Sequence, residues 1–449
     1  MLTHVARPVH CLLLVAALHI NCSAEVETYP GPDGIDASDQ YSVTVLQDGQ
    51  RYPAFVYKST TTFHRDKRDR TTSWTTFSFS KPIQVEVTKL KGRAKSCVIR
   101  PSRQSIQARV RDNTATFIID KPQKLSIEFD NDITHSMLLF ADPIEEDCPD
   151  PADPNVLYFG PGQHDIGIGR ELHHNQNVYI AGGAYVWGSF RVLGDEVTVR
   201  GRGVLSAGKW RKYVTKGDPG SGRLHDFKMI YGRSANDCTY EGITIVDFPS
   251  FAMIAGKHSV ISNIKTIGWY HNCDGIAISE HGLVSDCFLK VNDDALKLYW
   301  DHVRINDVTI WQYKNGAPFQ WNWHSMSPRD VQVRDCDVVH IEYDHDANNR
   351  AVFNAAKKQG GHHRDFLFEN ITIEEPQLWR LFAFNMSGDA KVSKTLFRNL
   401  RLAGPPLHQN EMHGDITLRF DNATVAGRKV NTPKQLGFPQ SDASMIQLQ

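Results

Sequence analysis

A short β pattern that recurs along the second part of the chain constrains the fold most strongly. Each copy begins with Asn, Asp or Gly and continues as a brief β run, and the first residues of successive copies are 21 to 35 positions apart. The copies are Gly242–Ile245, Asn263–Thr266, Asp286–Leu289, Asp307–Ile310, Asp335–Val338, Asn370–Ile373 and Asn399–Leu402. A β unit that repeats at this period, with no helical pattern between the copies, predicts a parallel β-helix.

A second register runs through the middle of the same region. Its segments start 20 to 24 residues apart and are Asp226–Ile230, Ser250–Ile254, Asp274–Ile278, Asp294–Leu298 and Gly316–Gln320. Equivalent positions of successive coils in a β-helix lie one strand spacing apart, about 4.8 Å. The register therefore predicts that Asp294 stacks on Asp274.

The chain before this region has a different texture. Residues 36–147 read as short alternating strands separated by turn residues, which predicts a small antiparallel β-sandwich. The segment Cys148–Pro154 then contains three prolines, which cannot continue a strand ladder. We therefore expect an all-β protein with a signal peptide at 1–24, a β-sandwich domain at 25–150 and a β-helix catalytic domain at 151–449.

The N-terminus has the features of a secretory leader. Basic residues precede the apolar run Cys11–Ile20, and Cys22-Ser-Ala24 resembles a cleavage site. We expect a secreted, extracellular protein in which disulfides can form, with buried free thiols as the alternative. Six cysteines follow the leader: Cys97, Cys148, Cys238, Cys273, Cys287 and Cys336. Glycosylation sequons begin at Asn370, Asn385 and Asn422.

Composition limits the partners of the protein. The formal net charge is −1 and no Lys/Arg run stands out, so a nucleic-acid partner is not expected. After the leader no apolar stretch approaches the roughly 18 residues of a membrane span. No cluster of His and Cys has metal-ligand spacing, so we predict neither a metal nor another cofactor. An uncharged substrate and a monomer are the expectations that remain.

Three aspartates form the candidate catalytic group. Asp293 and Asp294 are adjacent, so both can reach one surface only if the backbone bends, and Asn292 before them tolerates such a corner. Converging carboxylates should titrate apart, one protonated and others ionised, as glycosidic hydrolysis requires. We expect Asp293 to be the acid and Asp274 with Asp294 to hold the water. Inverting enzymes separate acid and base by roughly 6.5–9.5 Å. The alternative is a structural ladder of turn aspartates.

Side chains around these aspartates are candidates for sugar binding. Lys297 has the outward register of its strand and would position substrate or hold a neighbouring carboxylate ionised. Aromatic rings suit sugar faces, although core packing explains any single ring equally well. The candidate substrate-binding residues are Lys297, Tyr299, Trp269, Tyr270, Gln320, Trp321 and Trp323.

Three motifs in order carry a resemblance to a known family. Asn272–Gly275, Asn292–Tyr299 and Asn315–Trp323 resemble glycoside hydrolase family 49, the dextranases and isopullulanase. The resemblance implies a right-handed parallel β-helix after an N-terminal β-sandwich. It also implies an inverting endo-hydrolase of α-glucans, dextranase-like and specific for α-1,6 linkages, with Asp293 as the acid and Asp274 and Asp294 as the water-activating carboxylates.

Other activities on the same fold stay open. A polygalacturonase-like pectin hydrolase would share the aspartates, but its Gly-His-Gly and Arg-Ile-Lys motifs are not found after the pair. A non-catalytic β-helical carbohydrate binder would keep the aromatic residues without turnover. A calcium-dependent polysaccharide lyase would need Ca²⁺ among the acids and an Arg or Lys base.

Overall fold

The structure, a computed structural model, describes residues 25–61, 69–213, 227–324, 326–345, 349–355, 360–387 and 389–449. The predicted signal peptide lies outside the described residues, as does Asp226 of the second register. No described helix is long and apolar enough to cross a membrane.

Two sheets pack face to face in the N-terminal part. The strands are β1 Val26–Thr28, β2 Tyr41–Gln47, β3 Gln50–Ala54, β4 Tyr57–Thr60, β5 Thr71–Phe79, β6 Ile83–Lys89, β7 Cys97–Arg100, β8 Arg109–Arg111, β9 Thr114–Ile119, β10 Gln123–Phe129 and β11 His135–Pro143. One sheet has the order β1-β5-β11-β10-β7 with β4 added beside β5, and the other has the order β3-β2-β6-β9-β8. Strands such as β2 and β6 alternate buried and partly exposed residues, which is the pattern of a sheet with one face on a core.

From Val156 onward the described strands pair in parallel, except β40 with β41, and form one continuous coil. They are β12 Val156–Phe159, β13 Gly162–Leu172, β14 Asn177–Ile180, β15 Ala184–Val192, β16 Thr198–Gly201, β17 Val204–Ser206, β18 Ile230–Gly232, β19 Thr239–Glu241, β20 Thr244–Val246, β21 Met253–Ala255, β22 Val260–Ser262, β23 Lys265–Ile267, β24 Ile276–Ile278, β25 Leu283–Val291, β26 Leu296–Lys297, β27 Arg304–Gln312, β28 Phe319–Gln320, β29 Gln332–Arg334, β30 Asp337–Ile341, β31 Phe353–Ala355, β32 His362–Arg364, β33 Leu367–Glu369, β34 Thr372–Ile373, β35 Phe382–Asn385, β36 Lys391–Arg398, β37 Arg401–Leu402, β38 Glu411–His413, β39 Asp415–Asp421, β40 Thr424–Val425, β41 Arg428–Lys429 and β42 Ile446–Leu448. Short 3₁₀ helices lie at Ser102–Gln104, Gly208–Tyr213, Pro433–Leu436 and Gln440–Met445.

The coils stack their strands in three columns around an apolar interior. In one representative run, β22, β25 and β27 form the first column, β23 with the ends of β25 and β27 the second, and β24, β26 and β28 the third. The predicted all-β fold class, a parallel β-helix after a β-sandwich, is confirmed. The division at residue 150 stays a prediction.

The repeating Asn/Asp/Gly residues mark one corner of each coil from Gly242 to Asn399. Gly242, Asn263, Asp286 and the later members all have φ between 51° and 82°, the left-handed region that such residues tolerate. The pairing of their neighbours places them one above another. Two sequon asparagines belong to this ladder, because Nδ2 of Asn370 donates to Asp335 and Nδ2 of Asn422 donates to Asn399. Glycosylation stays a prediction.

The sandwich packs against the second column of the β-helix. Trp74 and Phe140 belong to the same apolar cluster as Phe288 and Trp311. Buried charges join the two parts as well, since Arg70 contacts both carboxylate oxygens of Glu342 at 2.5 and 2.9 Å.

The cysteines do not form the expected disulfides. All six after residue 24 are free thiols in the structure. Cys287 and Cys336 occupy the same column with Val308 between them, so they are two coils apart. Two coil spacings are about 9.6 Å, beyond the roughly 7 Å limit between Cα atoms of a disulfide. Cys273 is completely buried, and its Sγ donates to the carbonyl of Phe248 at 2.6 Å.

Candidate active site

The three predicted aspartates meet at the corner between the second and third columns. Ile276 pairs with Leu296, so Asp274 stacks on Asp294 as the second register predicts. The other three steps of this register are one residue off. Ile230 pairs with Met253 and not Ile254, and Ile254 pairs with Ala277 and not Ile278. In the next coil the partner of Asp294 is Ala317 and not Gly316. One oxygen from each of Asp274, Asp293 and Asp294 lies within 4.8 Å of the others.

The predicted bend at Asp293 is present between β25 and β26. Asn292 fixes it: its Oδ1 accepts from the backbone N–H groups of Lys314 and Asn315 at 2.9 and 3.1 Å, and its Nδ2 donates to the carbonyl of Trp269 at 2.7 Å. The next coil approaches closely here. A Cβ atom on Gly316 would lie 2.2 Å from the backbone carbon of Asp293, so only glycine, at a φ of +74°, fits beneath the bend.

Asp293 is the partly exposed member of the group. Its Oδ2 accepts from Nδ2 of Asn315 at 2.8 Å, and its Oδ1 accepts from the backbone N–H of Asp294 at 2.9 Å. Burial, followed by the negative charges of Asp274 and Asp294, raises the pKa of Asp293 well above its usual range. A carboxyl in this setting keeps its proton and can donate it.

Asp274 and Asp294 share one ammonium group. Nζ of Lys297 lies 2.7 Å from Oδ2 of Asp274 and 2.6 Å from Oδ2 of Asp294. Burial raises the pKa of Asp274 to about 6, with Lys297 opposing this and Asp294 adding to it. Burial alone would lower the pKa of Lys297, but the two carboxylates outweigh it and raise that pKa well above its usual range.

The same three aspartates are the described group that could hold a metal ion. Lys297 already places a positive charge between two of them, where a cation would meet repulsion. Ca²⁺ prefers six to eight oxygen ligands. The residues present therefore fit an ammonium better than a divalent cation.

Two predicted sugar contacts are corrected to packing roles. Trp321 is 1% exposed and lies inside the β-helix, where its ring stacks on Phe368 at 5.3 Å. Trp269 is 0% exposed, and its Nε1 donates to Ser59 of the sandwich at 2.9 Å. Neither ring reaches the surface on which a polysaccharide could lie.

Two other candidates contact Asp294 itself. Nε2 of Gln320, which is completely buried, donates to Oδ1 of Asp294 at 3.0 Å, and Nε1 of Trp323 donates to Oδ2 at 2.7 Å. Tyr270 and Tyr299 are largely buried, and the Tyr299 ring lies 5.7 Å from Nζ of Lys297.

Asn315 is the residue that the sequence reasoning did not assign. It holds Asp293 and also donates through Nδ2 to the carbonyl of His271 at 2.9 Å. A signal for it existed: Asn292 and Asn315 stand two residues before Asp294 and its stacked partner Ala317.

The chain is similar to known glycoside hydrolases. Residues 17–138 match the family model of the glycosyl hydrolase family 49 N-terminal Ig-like domain. The chain is 27% identical over 428 residues to the dextranase of Arthrobacter globiformis, covering 72% of this chain and 66% of the relative. It is 25% identical over 404 residues to the isopullulanase of Aspergillus niger, covering 74% and 71%. The resemblance to glycoside hydrolase family 49 is confirmed.

A solved structure shows the same fold. Dex49A from Penicillium minioluteum superposes with a TM-score of 0.74 at 19% identity, covering 94% of this chain and 96% of that one. The chain spans about two thirds of the length of the curated dextranase from Arthrobacter globiformis.

Proposed function

We propose that this protein is a glycoside hydrolase that cleaves α-glucosidic linkages in a polysaccharide by inversion. The observation that carries the proposal is the convergence of Asp274, Asp293 and Asp294 within 4.8 Å at one corner of the β-helix. Burial and neighbouring charge raise the pKa of Asp293 well above its usual range and the pKa of Asp274 to about 6, and a reaction that needs one acid and one base requires such a difference.

Asp293 is the proposed general acid. It is the most exposed of the three, its pKa is raised, and two donors fix its carboxyl without filling every lone pair. A glycosidic oxygen at this corner would receive the Asp293 proton as the bond to the anomeric carbon breaks. Such assistance contributes roughly 10²- to 10⁴-fold to the rate.

Asp274 and Asp294 form the proposed water side. Both contact Lys297, whose positive charge stabilises the ionised form of these buried carboxylates. The nearest oxygens of the three carboxyls are closer than the roughly 6.5–9.5 Å usual for inversion and near the 5–5.5 Å of a nucleophilic mechanism. We favour inversion because the resemblance to glycoside hydrolase family 49 implies it.

The proposed substrate is an α-1,6-linked glucan, cut within the chain as by a dextranase. Support comes from the relatives named dextranase and isopullulanase, which match along more than 70% of this chain. The near-neutral net charge agrees with an uncharged polymer. We further propose that the protein is secreted and acts outside the cell as a monomer.

A substrate panel tests the proposal. Purified protein is incubated with dextran, pullulan and polygalacturonate, and new reducing ends and product sizes are followed. We expect oligosaccharides from dextran and none from polygalacturonate. Release from polygalacturonate alone would support a pectin hydrolase. Binding of dextran without turnover would support a carbohydrate binder.

Chelation separates hydrolysis from elimination. EDTA should leave the rate unchanged, because the proposed steps move protons only among carboxyl groups, water and the glycosidic oxygen. Loss of activity that Ca²⁺ restores, together with products absorbing in the ultraviolet, would identify a lyase.

A further inference from the structure

We propose that Asp274 alone takes the proton from the attacking water, and that Asp294 is a positioning residue that holds Lys297 and, through it, Asp274. The inference rests on the proposed function and divides a task that the family resemblance gives to both residues.

Hydrogen bonds fill both oxygens of Asp294. Oδ1 accepts from the backbone N–H of Ala317 at 3.2 Å and from Gln320 at 3.0 Å. Oδ2 accepts from Lys297 at 2.6 Å and from Trp323 at 2.7 Å. An ionised carboxylate offers about four lone-pair sites. Four donors therefore leave Asp294 no site at which to receive a proton from water.

Asp274 differs in the number of its partners. Oδ2 contacts Lys297, and among the described residues the carboxylate accepts one further hydrogen bond, from the backbone N–H of Asp274 itself. Asp274 is 6% exposed, whereas Asp294 is 1% exposed. Of the two carboxylates, Asp274 is thus the one that has an unfilled lone pair and that a water molecule can reach.

The proton balance follows from this assignment. The water oxygen bonds to the anomeric carbon while the bond from that carbon to the glycosidic oxygen breaks. The water gives one proton to Asp274, and Asp293 gives its own proton to the leaving oxygen. Exchange with solvent afterwards returns a proton to Asp293 and removes one from Asp274.

Residues of the next coil complete the role of Asp294. Gln320 is oriented by a second hydrogen bond, from its Nε2 to Oδ1 of Asn354 at 3.0 Å, and Trp323 fixes the oxygen that faces Lys297. Gln320 and Trp323 were predicted to bind sugar. We assign them instead to the support of Asp294.

Azide rescue tests the division, because azide is a nucleophile that needs no base. Wild-type protein, Asp274→Ala and Asp294→Ala are assayed on an activated aryl α-isomaltoside with and without sodium azide. Each variant should lose roughly 10²- to 10⁴-fold in kcat, the range for a missing base or its support. Azide should restore Asp274→Ala at least tenfold and yield a β-glycosyl azide, because loss of this carboxyl frees the position of the attacking water. Azide should leave Asp294→Ala unchanged, because the Asp274 carboxylate still occupies that position and repels the anion. Rescue of Asp294→Ala, of both variants equally or of neither overturns the proposal.

A second measurement keeps the proposal testable if Asp294→Ala does not fold. Gln320→Leu and Trp323→Phe each remove one donor from Asp294. Both should lower kcat with KM nearly unchanged, whereas loss of a sugar contact would raise KM. A rise in KM at constant kcat overturns the positioning role. The proposed function itself is refuted if the wild-type protein turns over none of the glucans. The results for the variants test only the division of roles between Asp274 and Asp294.

Discussion

Replacing Asp293 by asparagine removes the proposed proton donor at little cost to folding. The carboxyl is partly exposed and accepts two hydrogen bonds, from Asn315 and from the backbone N–H of Asp294. The side-chain oxygen of the asparagine can still accept one of these hydrogen bonds. Its NH₂ group, which is itself a donor, would face the donor of the other bond, so that bond is lost. A mismatch of this kind costs about 1–3 kcal/mol when buried, and less where water can enter.

The loss in catalysis should be larger and should depend on the leaving group. Without an acid, kcat on dextran should fall roughly 10²- to 10⁴-fold, which corresponds to about 3–5 kcal/mol in the barrier. An α-glucosyl fluoride needs no protonation of its leaving group, so Asp293→Asn should recover most of its rate on it. Asp274→Asn should not, because its water is still unactivated.

Initial rates on dextran and on the fluoride, with circular dichroism as the folding check, measure this directly. Asp415→Asn is a matched control, since Asp415 is an exposed partner of Lys391 far along the chain, and it should keep wild-type rates on both substrates. Fluoride rescue in Asp274→Asn but not in Asp293→Asn would show that the acid is wrongly assigned. Near wild-type turnover in both variants would place the chemistry elsewhere.

Three further predictions concern Asp274, Lys290 and the six cysteines. The acid limb of kcat/KM should lie near pH 6, because Asp274 must be ionised, and Asp294→Asn should move it to lower pH by removing a charge that raises the Asp274 pKa; an unmoved limb contradicts this. Lys290 is fully buried, and its Nζ lies 3.3 Å from the ring centroid of Trp311 and makes no hydrogen bond to any described residue. Burial lowers the pKa of Lys290 well below its usual range. Between this lowered pKa and about pH 10 the unfolded chain binds one more proton than the folded chain, so burial of Lys290 costs stability at pH 7. Lys290→Met should therefore raise the free energy of unfolding, measured in urea at pH 7, by about 1–3 kcal/mol, whereas Lys257→Met at an exposed position should not. Denatured, unreduced protein comprising residues 25–449 should titrate six thiols, and each disulfide would remove two.

The coil register was predictable because turn chemistry repeats. Left-handed corners select Asn, Asp and Gly, so the first register appears in the sequence residue by residue and is confirmed at every described step. The second register has no such corner residues, and the bends between its strands differ in length from one coil to the next. It therefore found the stacking of Asp294 on Asp274 but was one residue off at its other three steps.

The direction of the aromatic side chains was not predictable to the same degree. A bend reverses the alternation of inward and outward residues, so position in the motif did not show that Trp321 points into the core. Trp269 was hidden by tertiary structure, since the sandwich covers it through Ser59, which is 210 residues away in sequence. The prediction of disulfides was wrong for a related reason. An even number of cysteines does not show how many coils separate them.

The configuration of the first product tests the central claim most directly. Proton NMR of dextran during the first minutes of hydrolysis resolves the α and β anomers of the new reducing end before mutarotation mixes them. Inversion of an α-linkage by water held at Asp274, with Asp293 as the acid, predicts that the β anomer appears first. Initial formation of the α anomer would show retention, and would contradict the assignment of these carboxylates to an acid and a base.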